Sequence, residues 1–361
     1  MKTLTIMLKP ASSLCNLSCR YCFYHDLADA RAVKSYGIMK PDVLEAVVRR
    51  AAQEVESAVQ FVFQGGEPLL AGLDFFRAFE SLVETYIPKS LRVDRSIQTN
   101  GALIDAQWAS FFAQHGYLVG VSLDGPAALH NDLRIFPDGK GSFSRVMAGI
   151  RALDRAHVPY NILTVVSEPI ARRGAAVYNF LRKSGWDYLQ FIPCLNPVTG
   201  DCGAHALRSE SYGRFLINIF DLYADERARG KQVSVRWFDN VLDMLAGRPP
   251  ESCGMSGVCA CHIVVESDGG VYPCDFYVHD SHRLGSLLDQ SLASLLASDA
   301  AAQFIEESRA LPAQCEVCPH RSLCRNGCRR YRQPYLSGAP GANELCEGYR
   351  MFFDHIARRM G

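Results

Sequence analysis

Up to about residue 240, short β-branched apolar runs alternate with longer stretches whose apolar residues recur every three or four positions. That rhythm predicts repeated strand–helix units around a parallel sheet. Strands are expected at Thr5–Leu8, Val59–Phe63, Arg92–Ile97, Leu118–Leu123, Tyr160–Val166 and Tyr188–Ile192. Helices are expected at Asp42–Val55, Leu73–Glu84, Ala106–His115, Phe143–Ala156, Ala175–Lys183 and Tyr212–Ala228. Within Asp42–Val55, the residues Val43, Ala46, Val47, Ala51 and Val55 form one apolar face, which reads as plain core. Beyond residue 240 the rhythm stops and Gly, Pro and Cys take over. A hairpin is expected there, Ile263–Val265 and Val271–Tyr272 around the turn Ser267-Asp268-Gly269-Gly270.

Six strand–helix units make an incomplete barrel, a partial (β/α)6 TIM-like fold of the α/β class, with its active site at the carboxy ends of the strands. The unusual motifs fall there: Cys15–Cys22 after the first strand, Gln64-Gly65-Gly66-Glu67-Pro68 after the second, Gln98-Thr99-Asn100-Gly101 after the third and Ser122–Pro126 at the fourth. Too little apolar sequence remains after residue 240 for a core of its own, so a compact domain stapled by cysteines is expected. The division is placed at 1–240 and 241–361.

Charge and composition remove whole classes of partner. Lys+Arg and Asp+Glu both number 38, so no basic surplus favours nucleic acid or an anionic membrane. Met1–Pro10 lacks a cleavage site, and no apolar run is long enough to span a bilayer, so a soluble, cytoplasmic protein is expected. In that reducing setting the 14 cysteines point to metal ligation rather than disulfides.

The first cluster of chemistry is Cys15-x3-Cys19-x2-Cys22. Three thiolates on one loop hold three irons of a 4Fe–4S cube and leave the fourth iron open to substrate; zinc is the competing reading, with His25 as a fourth ligand. The second is Cys253, Cys259 and Cys274, then Cys315, Cys318, Cys324, Cys328 and Cys346. Eight cysteines suffice for two fully ligated 4Fe–4S clusters, although zinc ribbons also use fours. Cys194, Cys202 and Cys261 are left unassigned. At Gly65-Gly66-Glu67 adjacent glycines let a backbone edge approach a ligand ammonium, which Glu67 is suited to pair with.

The Cys15–Cys22 loop behind the first strand of this pattern resembles the radical S-adenosylmethionine (radical SAM) superfamily, and the Gly65–Pro68 run resembles its GGEP motif. The resemblance implies that the open iron chelates S-adenosylmethionine, and that Tyr21, Gly66, Ser122, Arg134 and Leu195 line its pocket; by their chemistry alone Tyr21 and Leu195 are equally packing residues. The late cysteines resemble the SPASM extension. That likeness implies one cluster on Cys253, Cys259, Cys274 and Cys328 and another on Cys315, Cys318, Cys324 and Cys346, three clusters in all.

Lys9–His25, Gln64–Leu69, Ser122–Pro126 with His130 and Arg134, Leu189–Leu195 and Val265–Tyr277 resemble the anaerobic sulfatase-maturating enzymes. The family likeness implies oxidation of a cysteine or serine in a sulfatase Cys/Ser-x-Pro-x-Arg segment to Cα-formylglycine, with flavodoxin or ferredoxin as electron donor. Asp275 matches the family's catalytic aspartate, a base for the substrate proton; standing alone it is an ordinary turn residue. Tyr24 and Gln64 are placed to orient the peptide. Asn196 stands where the family pattern has an aspartate. Two other functions fit parts of the sequence: a SPASM maturase that cross-links a ribosomal peptide, and a zinc-binding interaction module.

Overall fold

The computed structural model describes residues 1–198, 203–336 and 341–360. Among them one sheet runs through β1 (Thr3–Leu8), β2 (Ala58–Phe63), β3 (Arg92–Thr99), β4 (Tyr117–Ser122), β5 (Tyr160–Val166), β6 (Tyr188–Pro193), β7 (Ser234–Val235), β8 (Ile263–Val265), β9 (Gly270–Tyr272) and β10 (Gly285–Ser286). Its order is β10-β9-β8-β1-β2-β3-β4-β5-β6-β7, and β1 to β7 are parallel neighbours in sequence order. The six expected strands lie within two residues of their expected ends. The six expected helices are Pro41–Glu54, Leu73–Tyr86, Ala106–His115, Phe143–Arg155, Gly174–Lys183 and Ser209–Ala228. Their ends follow local chemistry. Asp105 accepts from the Gln107 and Trp108 amides to start one helix, and Gly116, at φ 67°, ends it.

The strand alternation decides which side chains reach the interior. In β2, Val59, Phe61 and Phe63 are buried against the outer helices, where Phe63 meets Phe76 and Phe79 at ring distances of 4.9 and 5.0 Å. The alternate positions Ala58, Gln60 and Val62 are half-buried, and Gln60 is polar. Thr5 donates to Gln60 (3.3 Å) and Gln98 to Ser122 (3.2 Å) between neighbouring strands. A Cβ on Gly120 would sit 2.1 Å from Gln98 Oε1, so a side chain there would require the Gln98 amide to swing aside. One step past the ends of β1 and β2, the same parity brings Lys9 and Gln64 side by side, because Leu8 pairs with Phe63.

The carboxy-terminal part is less separate than expected. Strand β8 pairs parallel with β1, Ile6 opposite Ile263 and Leu8 opposite Val265. The expected hairpin forms with β9, and it covers a strand edge whose backbone groups would otherwise lack partners. Helix Arg236–Leu245 runs through residue 240, the expected division, without a break. Helix Cys346–Met360 lies along Ser209–Ala228, closely enough that a Cβ on Gly213 would meet Gly348 Cα at 2.8 Å. Among the described residues, no helix is long and apolar enough to cross a membrane.

Candidate active site

The loop carrying Cys15, Cys19 and Cys22 is stitched to two neighbours by backbone hydrogen bonds. Gly66 N–H donates to Ser12 O (3.0 Å) and Glu67 N–H to Leu14 O (2.7 Å), while Ser18 and Arg20 N–H donate to Ile135 and Leu133 carbonyls (2.7 and 3.0 Å). A Cβ on Gly66 would lie 2.0 Å from Leu14 O, so the loop can dock only on glycine. Gly65, at φ 142°, carries the strained turn beside it.

Glu67 does not offer its carboxylate to a ligand ammonium, as the sequence suggested. It is fully buried and accepts from Leu69 N–H (3.0 Å), the Thr99 hydroxyl (2.8 Å) and Asn100 N–H (2.8 Å). Burial lifts its pKa to about 7 against the pull of those donors. Its work is to tie the second motif to the third, and the Gly65–Gly66 backbone is what faces the cysteine loop. Asn100, held by that tie, donates to Asn16 Oδ1 (2.8 Å) and reaches Cys15 Sγ at 3.8 Å.

At the end of β4 a buried ion pair gathers the next residues. Arg134 Nε donates to Asp124 Oδ2 (2.9 Å), the Tyr21 hydroxyl donates to the same oxygen, and Val165 N–H donates to Oδ1 (3.1 Å). The Arg134 guanidinium also lowers the Cys19 thiol, which burial pushes up to about 12. Ser122 is buried beside this pair, and Leu195 is buried in the turn after β6, where its carbonyl accepts from Cys194 Sγ (3.7 Å). Asp124 was not singled out from the sequence, although it lies within the Ser122–Pro126 motif. Its polarity beside an arginine ten positions on was the available signal.

His130 organises this corner in its neutral form. Burial lowers its pKa to about 4. Nδ1 accepts from Asp124 N–H (3.3 Å), so Nε2 carries the proton and donates to Ser142 Oγ (2.9 Å), whose hydroxyl donates to Arg134 O (2.9 Å). A depressed histidine pKa favours folding above about pH 6.5, and that contribution falls as the unfolded chain alone takes up a proton below it. Between pH 7 and pH 5 we expect this group to cost about 2 kcal/mol of stability. The measurement is the urea unfolding midpoint against pH, and the drop should shrink in His130→Gln.

Asp275, delivered by the return strand β9, meets the residues above β1 and β2. Lys9 Nζ donates to Oδ1 (2.9 Å); the Tyr24 hydroxyl (2.5 Å) and Gln64 Nε2 (3.0 Å) donate to Oδ2. Gln64 also donates to Tyr24 Oη (2.8 Å), and the Lys9 ammonium sits 4.2 Å from the Tyr24 ring centre. Lys9 and Asp275 are both nearly inaccessible. Burial, then the Asp275 charge, raises the Tyr24 pKa well above its usual value, so the phenol keeps its proton. Three of these four residues were expected here; Lys9 was missed because a lysine after a strand reads as an exposed end.

Charge interactions between the thiols link the cysteines in three groups. Cys15 feels Cys19 and Cys22. Cys274 feels Cys328 and Cys253, and Cys328 feels Cys259 and Cys253. Cys324 feels Cys346, Cys315 and Cys318. Burial pushes Cys15 and Cys328 up to about 12 and raises Cys274 and Cys324 as well, and the neighbouring cysteines add to the rise. Thiol sets that resist ionisation in one another's presence suit a cationic iron–sulfur core, which would hold all of them as thiolates. Cys253, Cys324 and Cys328 line a cavity of about 500 Å³ together with Gln190–Pro193 of β6, Phe276 and Tyr331. Cys261 points elsewhere, into a surface pocket with Thr3 and Arg92 at the opposite end of the strands, and Cys202 lies outside the described residues.

Residues 10–171 match the radical SAM superfamily, and residues 253–319 match the SPASM iron–sulfur cluster-binding domain. The cysteine-type anaerobic sulfatase-maturating enzyme of Clostridium novyi (strain NT) is 43% identical over 98% of this chain and 95% of its own. Its counterpart from Clostridium perfringens (strain 13 / Type A) is 41% identical over 100% and 98%. The chain belongs to the anaerobic sulfatase-maturating enzymes. A solved structure described as native anSMEcpe with bound AdoMet and Kp18Cys peptide superposes with a TM-score of 0.94 at 41% identity, covering 99% of this chain and 98% of that one. Membership makes the protein a radical SAM enzyme that works with S-adenosylmethionine and 4Fe–4S clusters, and it sets aside the zinc-module and cross-linking readings.

Proposed function

We propose that this chain oxidises a cysteine, or a serine, in a Cys/Ser-x-Pro-x-Arg segment of a sulfatase polypeptide to Cα-formylglycine without oxygen. The observation that carries this reading is the Asp275 carboxylate, buried and gripped by Lys9, Tyr24 and Gln64 beside Cys274. Such an oxidation removes a hydrogen atom from Cβ, then a proton and an electron, and a fixed carboxylate is the group suited to the proton.

In this reading residues 1–240 hold S-adenosylmethionine and residues 241–361 hold the two further clusters. Cys15, Cys19 and Cys22 bind the first cluster. Cys253, Cys259, Cys274 and Cys328 bind the second, and Cys315, Cys318, Cys324 and Cys346 the third. When bound and reduced, S-adenosylmethionine supplies the 5′-deoxyadenosyl radical. Gly65 and Gly66 meet its amino group through the backbone; Tyr21, Ser122, Arg134 and Leu195 surround it, with Arg134 held in place by Asp124. Tyr24 and Gln64 orient the target side chain, and together with Lys9 they fix the Asp275 carboxylate in place. The partners are the sulfatase polypeptide and a flavodoxin or ferredoxin donor, in the cytoplasm, with no role for nucleic acid or membrane.

Anaerobically purified, the protein should carry about twelve irons in three 4Fe–4S clusters. Given reductant, S-adenosylmethionine and a peptide containing Cys-x-Pro-x-Arg, it should lighten the peptide by about 18 mass units, the exchange of a thiol and a hydrogen for an aldehyde oxygen. An unchanged peptide mass, with S-adenosylmethionine consumed, would sink the proposal.

A further inference from the structure

Arg332 is 1% exposed, and among the described residues no carboxylate lies within ion-pair distance of it. Its donors go to backbone carbonyls alone: Nε to Asn326 O (3.0 Å), Nη1 to Ser308 O (2.8 Å) and Nη2 to Gly327 O. Carbonyl dipoles hydrogen-bond a guanidinium but leave its charge uncancelled, and an uncancelled buried charge is costly. Its neighbour Arg329 shows the ordinary solution, pairing with Glu307 at 2.6 Å.

Two of the three carbonyls belong to a turn flanked by cysteines of both carboxy-terminal groups, and the third belongs to a serine whose hydroxyl holds Cys259. Asn326 and Gly327 lie between Cys324 and Cys328, one from each group, in a turn where residues 325–327 all have positive φ. Ser308 accepts from Cys259 N–H at 2.8 Å. Arg332 itself bridges to Asn343, whose carbonyl accepts from Cys346 N–H (3.0 Å). The cation therefore sits where both groups converge, and the thiolates it senses come from both: Cys259 and Cys328 of one, Cys315 of the other. Four thiolates on a dipositive 4Fe–4S core leave each cluster net negative. These two clusters are the counter-charge that Arg332 lacks in the protein.

We propose that Arg332 is a positioning residue of the redox machinery, a fixed positive charge shared by the two carboxy-terminal clusters that raises the reduction potential of both. This rests on the ligand sets given under the proposed function. A 4Fe–4S core held there would gain one negative charge on accepting the electron lost by the substrate-derived radical, whose proton Asp275 is placed to take. A cation held between the cores favours the reduced state.

The test is an electron-paramagnetic-resonance redox titration of the holoenzyme without peptide, so its outcome does not depend on which substrate is oxidised. Arg332→Gln removes the charge and keeps a donor; Arg332→Lys keeps the charge and loses most of the hydrogen bonds. We expect Arg332→Gln to lower the midpoints of both carboxy-terminal clusters, with the Cys15–Cys22 cluster unmoved as an internal reference, and Arg332→Lys to stay near the native values. Unmoved midpoints in Arg332→Gln, or an equal fall in both variants, would overturn the proposal. So would loss of iron from both variants alike, which is what a purely structural arginine predicts. Should Arg332→Gln alone fail to load iron, native midpoints in Arg332→Lys support the charge and lowered ones overturn it.

Discussion

Asp275→Asn should lower formylglycine formation by about 10²- to 10⁴-fold, the range in which a positioned acid or base contributes to a rate. Asparagine has nearly the shape of aspartate. Its amide oxygen can still accept from Lys9 Nζ, and its amide nitrogen fits at the Oδ2 position once the Gln64 amide flips to present Oε1 and Tyr24 Oη accepts. It cannot take a proton at the pH of the reaction. Removal of the Cβ hydrogen precedes the need for a base, so the variant should still make 5′-deoxyadenosine while releasing little aldehyde. The measurement is the ratio of 5′-deoxyadenosine to formylglycine in one reaction, with iron content as the control for folding. A variant with a ratio near the native one would remove Asp275 from the chemistry. Lys9→Met is the companion: loss of one partner leaves the other buried and unpaired, a cost of about 3–5 kcal/mol.

Much of this arrangement was legible because periodicity and site chemistry are coupled in a barrel. An alternation of two along β1 and β2 determines that Ile6, Leu8, Phe61 and Phe63 pack outward. The same parity makes Lys9 and Gln64 the first inward positions beyond the strand ends, and the spacing of motifs after successive strands follows. What stayed hidden depends on contacts distant in sequence. Nothing near Ile263 announces that β8 will pair with β1, because an edge strand's partner is chosen by shape and burial rather than by local pattern. Glu67 looked like a ligand since its motif suggested one, whereas the donors that occupy it come from Leu69, Thr99 and Asn100. Local pattern does carry one further element: Tyr349, Phe352, Phe353 and Ile356 repeat at three, four and seven positions and mark the buried face of the helix Cys346–Met360.

Gly66→Ala should strip the amino-terminal cluster and leave the other two. The added methyl would lie 2.0 Å from Leu14 O, 2.7 Å from Leu14 C and 2.8 Å from Ser13 C, all backbone atoms that cannot swing aside. Relief requires the Ser12–Leu14 segment to move off the motif, which breaks the hydrogen bonds from Gly66 and Glu67 N–H and displaces Cys15, the next residue. Glu67 would be drawn with it, loosening Asn100 from its place beside Cys15. The carboxy-terminal cysteines are held by separate contacts, so iron should fall from about twelve to about eight per chain, and S-adenosylmethionine should no longer perturb the spectrum of what remains. Gly66 is not among the positive-φ glycines, so the clash alone is at issue there, and Gly139→Ala serves as the control for a glycine replacement without a clash. Gly139 has φ 82°, yet its added Cβ would meet nothing within 4 Å. That variant should lose on the order of 1 kcal/mol of stability and keep all its iron. A Gly66→Ala protein with full iron and an intact response to S-adenosylmethionine would show that the loop docks some other way, and the contact between the two motifs would lose its place in the site.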